Sequence, residues 1–166
     1  MNTTRNLAVL VGTAALALTL AACEQSTTEA AAAESPAWML AVAPEGVQPV
    51  ASAKSTAAEG DTITLRGFIG GTMEPLSPDS PVFRIVDPSL VNVCTAEDDH
   101  CKTPWDYCCA MPEEISANSA TVQIVGASTP GPLSPLDEII VTGTVGPRPT
   151  DQVLTVQATG IYRVDG

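Results

Sequence analysis

From Gly60 onward, apolar and polar residues alternate with a period of two, the spacing at which successive side chains of an extended strand point to opposite faces. In residues 62–69, Ile63, Leu65 and Ile69 fall on one face, which predicts a first strand. Residues 81–87 predict a second, with Phe83 and Ile85 on one side and Arg84 on the other. Residues 120–125 predict a third, with Val122 and Ile124 inward. Residues 139–145 predict a fourth and 153–158 a fifth, which Ile161-Tyr162-Arg163-Val164 either continues or follows as a sixth. Gly70-Gly71 permits a turn, and Leu133–Leu136 is a proline-bounded one. Residues 88–118 carry no period and are expected to be irregular. Upstream, Val50, Ala53, Ala57 and Ala58 recur at helical spacing before Gly60, which predicts a short helix. Trp38, Met39 and Leu40 are the first side chains able to reach a core.

Two of the predicted strands contain a glycine in matching surroundings, Leu65-Arg66-Gly67-Phe68-Ile69 and Val141-Thr142-Gly143-Thr144-Val145. A strand glycine costs packing and marks a bend or a bulge, and small barrels need such bends to close. The abundance of proline (14) and glycine (12), with 4% aromatics, suits short strands and turns. The order of these strands resembles the OB-fold, a five-stranded Greek-key barrel. The resemblance covers residues 60–164 and implies an all-β barrel, to which the residues themselves add a cysteine-rich insertion loop over 88–118 and the short N-terminal helix. It departs from the family between strands three and four, where residues 126–136 are mostly Pro, Gly and Ser and leave no room for the usual helix. A small β-sandwich is the alternative architecture.

Before the barrel the pattern is of another kind. Arg5 precedes an apolar run from Leu7 to Leu20, which ends in Leu20-Ala21-Ala22-Cys23. A basic start, an apolar stretch and small residues at a cleavage point are the parts of an export signal. The stretch is short for a membrane span, which needs roughly 20 residues. The cysteine directly after the small residues resembles the lipobox of bacterial lipoproteins. That resemblance implies removal of residues 1–22 and acylation of Cys23 by diacylglycerol and a further chain such as palmitate. It places the protein in the cell envelope, facing the periplasm or exterior. Two or three acyl chains anchor stably, since each buried methylene contributes about 0.8 kcal/mol. Position 24 is Glu and not the Asp that retains many such proteins at the inner membrane, which favours the outer one. Residues 23–35, polar and alanine-rich, read as a flexible tether, 36–59 as an N-terminal extension, and 60–166 as the barrel domain.

The formal charge is −12, and loss of Arg5 with the signal makes it one unit more negative. Such a surface repels phosphate backbones, so nucleic acid is excluded as a partner. The expected partners are the membrane, through the anchor, and an envelope protein or glycan.

The candidate chemistry lies in residues 94–109, which gather Cys94, Cys101, Cys108 and Cys109 with the chain's single histidine, His100, and with Trp105 and Tyr107. Outside the cytosol an even set of cysteines reads as disulfides. Discounting a strained Cys108–Cys109 ring leaves Cys94–Cys108 with Cys101–Cys109, or Cys94–Cys109 with Cys101–Cys108. The alternative is a metal site for Zn²⁺ or Cu⁺ built from Cys94, His100, Cys101, Cys108 and Cys109, since thiolates and imidazole suit both ions. Against it, neighbouring ligands bite awkwardly on a tetrahedral ion. A thiol-redox role is a third reading, weakened by the absence of Cys-x-x-Cys. On the primary reading there is no cofactor. Trp105 and Tyr107 are candidates for stacking a ligand, or for packing over the crosslinks. The run Glu97-Asp98-Asp99 offers oxygens for Ca²⁺ but reads as a solvated loop face without EF-hand spacing. The segment Cys101-Lys-Thr-Pro-Trp-Asp-Tyr-Cys-Cys109 is similar to one in predicted bacterial lipoproteins, a resemblance that implies export and kinship and no activity.

Catalysis finds little support. There is no Gly-x-Ser-x-Gly elbow, and no Lys follows Gly67–Thr72 as a phosphate loop would require. The acidic pairs Glu113-Glu114 and Asp137-Glu138 are only sequence neighbours. The sequence thus predicts a lipid-anchored, non-catalytic binding or structural module, with a metal-binding or metal-delivery lipoprotein as its rival.

Overall fold

The alternating segments do become strands, and they close on themselves. The computed structural model describes residues 35–90 and 101–164. Its sheet runs β1 (Val47–Gln48), β2 (Thr62–Ile69), β3 (Val82–Val86), β4 (Ser119–Ile124), β6 (Thr155–Arg163) and β5 (Glu138–Val145), and β5 returns to pair with β2. The five strands β2 to β6 form a closed barrel with the strand order of an OB-fold. β4 and β6 run parallel, and the other barrel pairings are antiparallel. A sandwich of two separate sheets is excluded by the β2–β5 closure.

The inward sets are those the period predicts. Ile63, Leu65, Ile69, Phe83, Ile85, Val122, Ile124, Ile139, Val141, Val156 and Ile161 are all buried in one core cluster. The last strand breaks the period, because Ala158 and Ile161 lie three residues apart and are both fully buried. The reason is a bulge: Gly143 pairs with Ala158 and Thr142 with Gly160, which leaves Thr159 as the extra residue. Residues 161–163 therefore continue the fifth barrel strand and do not form a sixth. Gly143 is required at this crossing, since a Cβ there would lie 2.2 Å from the Gln157 carbonyl oxygen.

The predicted helix is present as α1 (Val50–Thr56), with Val50 and Ala53 buried in the core. It ends earlier than its spacing suggests, because Ala57 turns extended. Helix α1 closes the end of the barrel where β2, β4 and β6 begin. There Lys54 donates to the carbonyls of Ser116 and Gln152, and Arg148 donates to those of Lys54 and Ala57. The short strand β1 pairs with Thr64 and Leu65, on the stretch of β2 that β3 leaves open. Ahead of it, Met39 bridges to Ile161, and Leu40 lies against Gly160.

One expectation needs correction. Residues 88–118 are not irregular throughout, since α2 (Pro112–Ala117) lies directly before β4. Its start has the right chemistry: proline in the first helical turn, acids beside the unpaired N–H groups, and Glu114 accepting from the Met111 N–H at 3.1 Å. Among the described residues no helix is long and apolar enough to cross a membrane.

Candidate functional site

The connection from β3 to β4 contains the cysteine segment, and its described parts are residues 87–90 and 101–118. Thr103-Pro104-Trp105-Asp106 folds on itself as a 3-10 turn (Pro104–Asp106). The Asp106 N–H donates to the Thr103 carbonyl at 3.0 Å, and the Thr103 hydroxyl donates to Asp106 Oδ2 at 2.8 Å. The other carboxylate oxygen, Oδ1, accepts from the Cys108 N–H at 2.8 Å. Tyr107 ends the turn in the left-handed region, with φ of 58°. A bulky residue is uncommon there. Burial of its ring offsets that cost, because Tyr107 is only 2% exposed.

This turn is docked on the barrel at the end of β2. The Gly71 N–H donates to the Trp105 carbonyl at 2.7 Å, and the Trp105 indole N–H donates to the Met73 carbonyl at 2.9 Å. Gly70 makes the approach possible, because any side chain there would meet the Trp105 backbone and the Tyr107 ring. The Gly70-Gly71 pair is therefore a seat for the loop as well as a turn. Of the two aromatic candidates, Tyr107 is buried and Trp105 keeps part of its surface exposed.

Three of the four candidate cysteines are described. Cys101 is half-buried, and Cys108 and Cys109 are exposed. The sulfurs of Cys101 and Cys108 stand 4.0 Å apart. An Asp106 carboxylate oxygen joins them, and the three candidate ligand atoms lie within 4.8 Å of one another. Asp106 is a member that the sequence reading missed, although the signal was there: a threonine three residues before an aspartate marks a turn that points the carboxylate back along the chain. Partial burial raises the Asp106 pKa, but hydrogen bonds from the Cys108 N–H, the Thr103 hydroxyl and the Cys108 thiol outweigh this and hold it below the ordinary carboxylate value. Cys94 and His100 lie outside the described residues, as do Cys23 and the acidic run 97–99.

The acidic pairs are drawn apart by local partners. Glu138 pairs with Arg66 at 2.7 Å, while Asp137 accepts from the Ser134 N–H at 2.9 Å and faces Arg163 at 4.0 Å. In the other pair, Glu114 is committed to the start of α2.

Comparison with known proteins adds little. No protein-family model matches the chain, and no curated protein matches it either. A solved structure described as that of the hypothetical protein ygiW from E. coli is similar over 73% of this chain and 94% of that one, at 20% identity and a TM-score of 0.40.

Proposed function

We propose that this chain is a lipid-anchored, extracytoplasmic module that binds or braces a component of the cell envelope without catalysing a reaction. The observation that carries the reading is the contact of Cys101 with Cys108 on a turn fixed to the barrel. A sulfur–sulfur bond of about 2.05 Å is reached from 4.0 Å by small rotamer changes, so the segment suits crosslinking in oxidising surroundings. Of the two pairings left open by the sequence, this contact favours Cys101–Cys108 with Cys94–Cys109. The export signal at Arg5–Cys23 supplies the location, and the partly exposed Trp105 supplies an aromatic contact for a protein or glycan.

The test is the intact mass of the natively produced protein before and after reduction, combined with thiol alkylation, metal analysis and mapping of the linked peptides. The expected product begins at an acylated Cys23 and is lighter than its reduced form by two hydrogens for each of two bridges. A product that keeps residues 1–22, or that has four alkylatable thiols and no metal, overturns the proposal.

A second reading rests on the cluster of Cys101, Asp106 and Cys108. Two thiolates and a carboxylate are a donor set that zinc accepts, and the thiolates alone suit Cu⁺. The carboxylate already accepts from the Thr103 hydroxyl and the Cys108 N–H, and a metal would have to compete with these donors. Four alkylatable thiols with stoichiometric zinc or copper would establish this reading in place of the first.

A further inference from the structure

The chain has 19 acidic and 7 basic residues, yet three of the basic ones converge. Lys54 on α1, Arg84 on β3 and Arg148 after β5 meet around the closed end of the barrel and one outer face of its sheet. Among the described residues the basic side chains in ion pairs are Arg66 and Arg163, and no carboxylate pairs with any of the three. They bond to backbone carbonyls instead. Arg148 spends Nε, Nη1 and Nη2 on four such oxygens and serves as a clamp. Arg84 spends one N–H, on the Gly71 carbonyl at 3.1 Å, so most of its guanidinium donors are uncommitted.

Arg84 and Lys54 line an open cleft of about 470 Å³ between α2 and the outer face of β3 and β4. Arg84 and Thr121 are cross-strand partners on its floor. Among the described residues no aspartate or glutamate lines it, and Glu113 and Asp151 belong to adjoining grooves. The rest of the lining is mixed: Ser116, Thr121, Gln152 and Cys108 bring polar groups, while Ile115 and Val153 bring apolar surface. Partial burial, followed by the like charges of Arg84 and Arg148, lowers the Lys54 pKa below its ordinary value. The smaller, like-charge part of that shift agrees with the geometry, in which no carboxylate among the described residues pairs with these cations. In a protein this acidic, long-range attraction cannot explain such a gathering, since the field as a whole opposes anions. Local convergence of donors beside apolar surface can, and the volume is that of a small-molecule site.

We propose that this cleft binds a small amphiphilic oxyanion, its phosphate or carboxylate held by Arg84 and Lys54 and its apolar part against Ile115 and Val153. The assignment rests on the described barrel, on α2 and on Cys108 and Ala110 at the edge of the cleft; it requires neither the anchor nor a particular disulfide pairing.

The natively produced protein in neutral detergent is titrated by NMR with hexyl phosphate, hexanoate, inorganic phosphate and hexyltrimethylammonium. Saturating shifts at the amides of Gly71, Ser116 and Thr121 are expected with hexyl phosphate, with hexanoate, or with both, and the stronger of the two names the head group. Inorganic phosphate should bind about tenfold more weakly for want of the buried methylenes. The cationic analogue, with the same tail, should give no saturating shift. Arg84→Gln should weaken the preferred anion about tenfold or more, Arg84→Lys only a few-fold, and Arg66→Gln not at all. Equal responses to anion and cation, no saturation with either hexyl anion at millimolar concentration, or unchanged affinity in a folded Arg84→Gln protein would each overturn the assignment. The anion–cation comparison uses the natural sequence, so it decides the matter even where a variant fails to fold.

Discussion

Gly70 and Trp105 are in contact through their backbones: a Cβ placed on the glycine would lie 2.5 Å from the Trp105 carbonyl oxygen and 3.1 Å from Cε2 of Tyr107. The obstacle is main chain and a buried ring, neither of which can swing aside as the tip of a lysine would. Gly70→Ala should therefore push the cysteine turn off the barrel and cost about 1–3 kcal/mol as an overpacking change. The check is urea unfolding, together with the alkylation rate of Cys101 in reduced protein, which should rise. Unchanged stability and unchanged alkylation would mean that the turn is not seated on Gly70.

Asp87 is a second long-range contact that no local pattern announces. Its buried carboxylate accepts from the Val50 N–H at 2.6 Å, across 37 positions of sequence, and from the Ser89 N–H at 2.9 Å. Helix α1 has Pro49 before it and no side-chain cap of its own, so the end of β3 supplies the acceptor that a neighbouring serine or aspartate usually provides. Asp87→Ala leaves a buried N–H without a partner and should cost about 1–3 kcal/mol. Asp87→Asn keeps one amide oxygen as an acceptor and should cost less. Denaturant midpoints of the two variants decide the order.

These two contacts show where the sequence is legible and where it is not. Alternation in residues 62–69, 81–87 and 139–145 revealed the barrel strands because burial of one face imposes that period whatever the partner strand. Gly143 was legible as a bulge for a related reason, since a missing side chain in a strand leaves a visible gap in an otherwise bulky pattern, whereas Gly67 sits in unbroken register and instead admits the Val86 carbonyl at close range. Helix α2 was missed because its single turn or so is too short to show a period, and its signature is confined to Pro112-Glu113-Glu114. The pairing of Asp87 with Val50, the seat of Trp105 on Gly70-Gly71, and the meeting of Lys54 with Arg84 all join residues far apart in sequence. Only the closed topology brings them together, and no spacing rule encodes it. Asp106 lies between these cases, since its turn with Thr103 is local but its approach to Cys101 and Cys108 depends on how the segment folds back.

If Cys101 and Cys108 are bridged, the crosslink closes a small loop. In the chain-entropy account such a loop restricts the unfolded chain by about 2–3 kcal/mol. Cys101→Ser and Cys108→Ser should each lose that much in the oxidised protein and almost nothing in the reduced one. Cys109→Ser should leave the Cys101–Cys108 peptide link intact on mapping. A link from Cys101 to Cys109 in the natural sequence would contradict the pairing.

Asp106 makes the docked turn sensitive to acid. Its folded pKa lies below the ordinary value of 3.8, so the unfolded chain binds the proton first as pH falls. The carboxylate's hydrogen bonds therefore contribute fully above that ordinary value, and their contribution declines as pH drops through 3.8 toward the folded value. Fluorescence of Trp105 should report loosening of the turn over that range. Asp106→Asn, which keeps an acceptor but has no proton to gain, should show a flatter response.

At the alkaline end two groups act with opposite sign. Burial raises the Tyr107 pKa above 10.0, so the unfolded chain loses this proton first. Stability should then fall as pH climbs from about 10 toward the folded value. Lys54 behaves the other way. Burial, and then Arg84 and Arg148, place its folded pKa below 10.5, so the native state releases the proton first. Stability gains from Lys54 as pH rises from that folded value, and the gain is complete near 10.5. The natural protein should thus hold its denaturant midpoint on the approach to pH 10 and lose it beyond. Tyr107→Phe has no phenol to ionise, so its midpoint should keep the Lys54 gain and lack the later fall. Lys54→Met should instead lack the gain and keep the fall. Denaturant midpoints across this range, taken for all three proteins, separate the two groups: a Tyr107→Phe curve parallel to the natural one would show that this ring is not buried, and with it that the cysteine turn is not docked where Gly70 and Gly71 receive it.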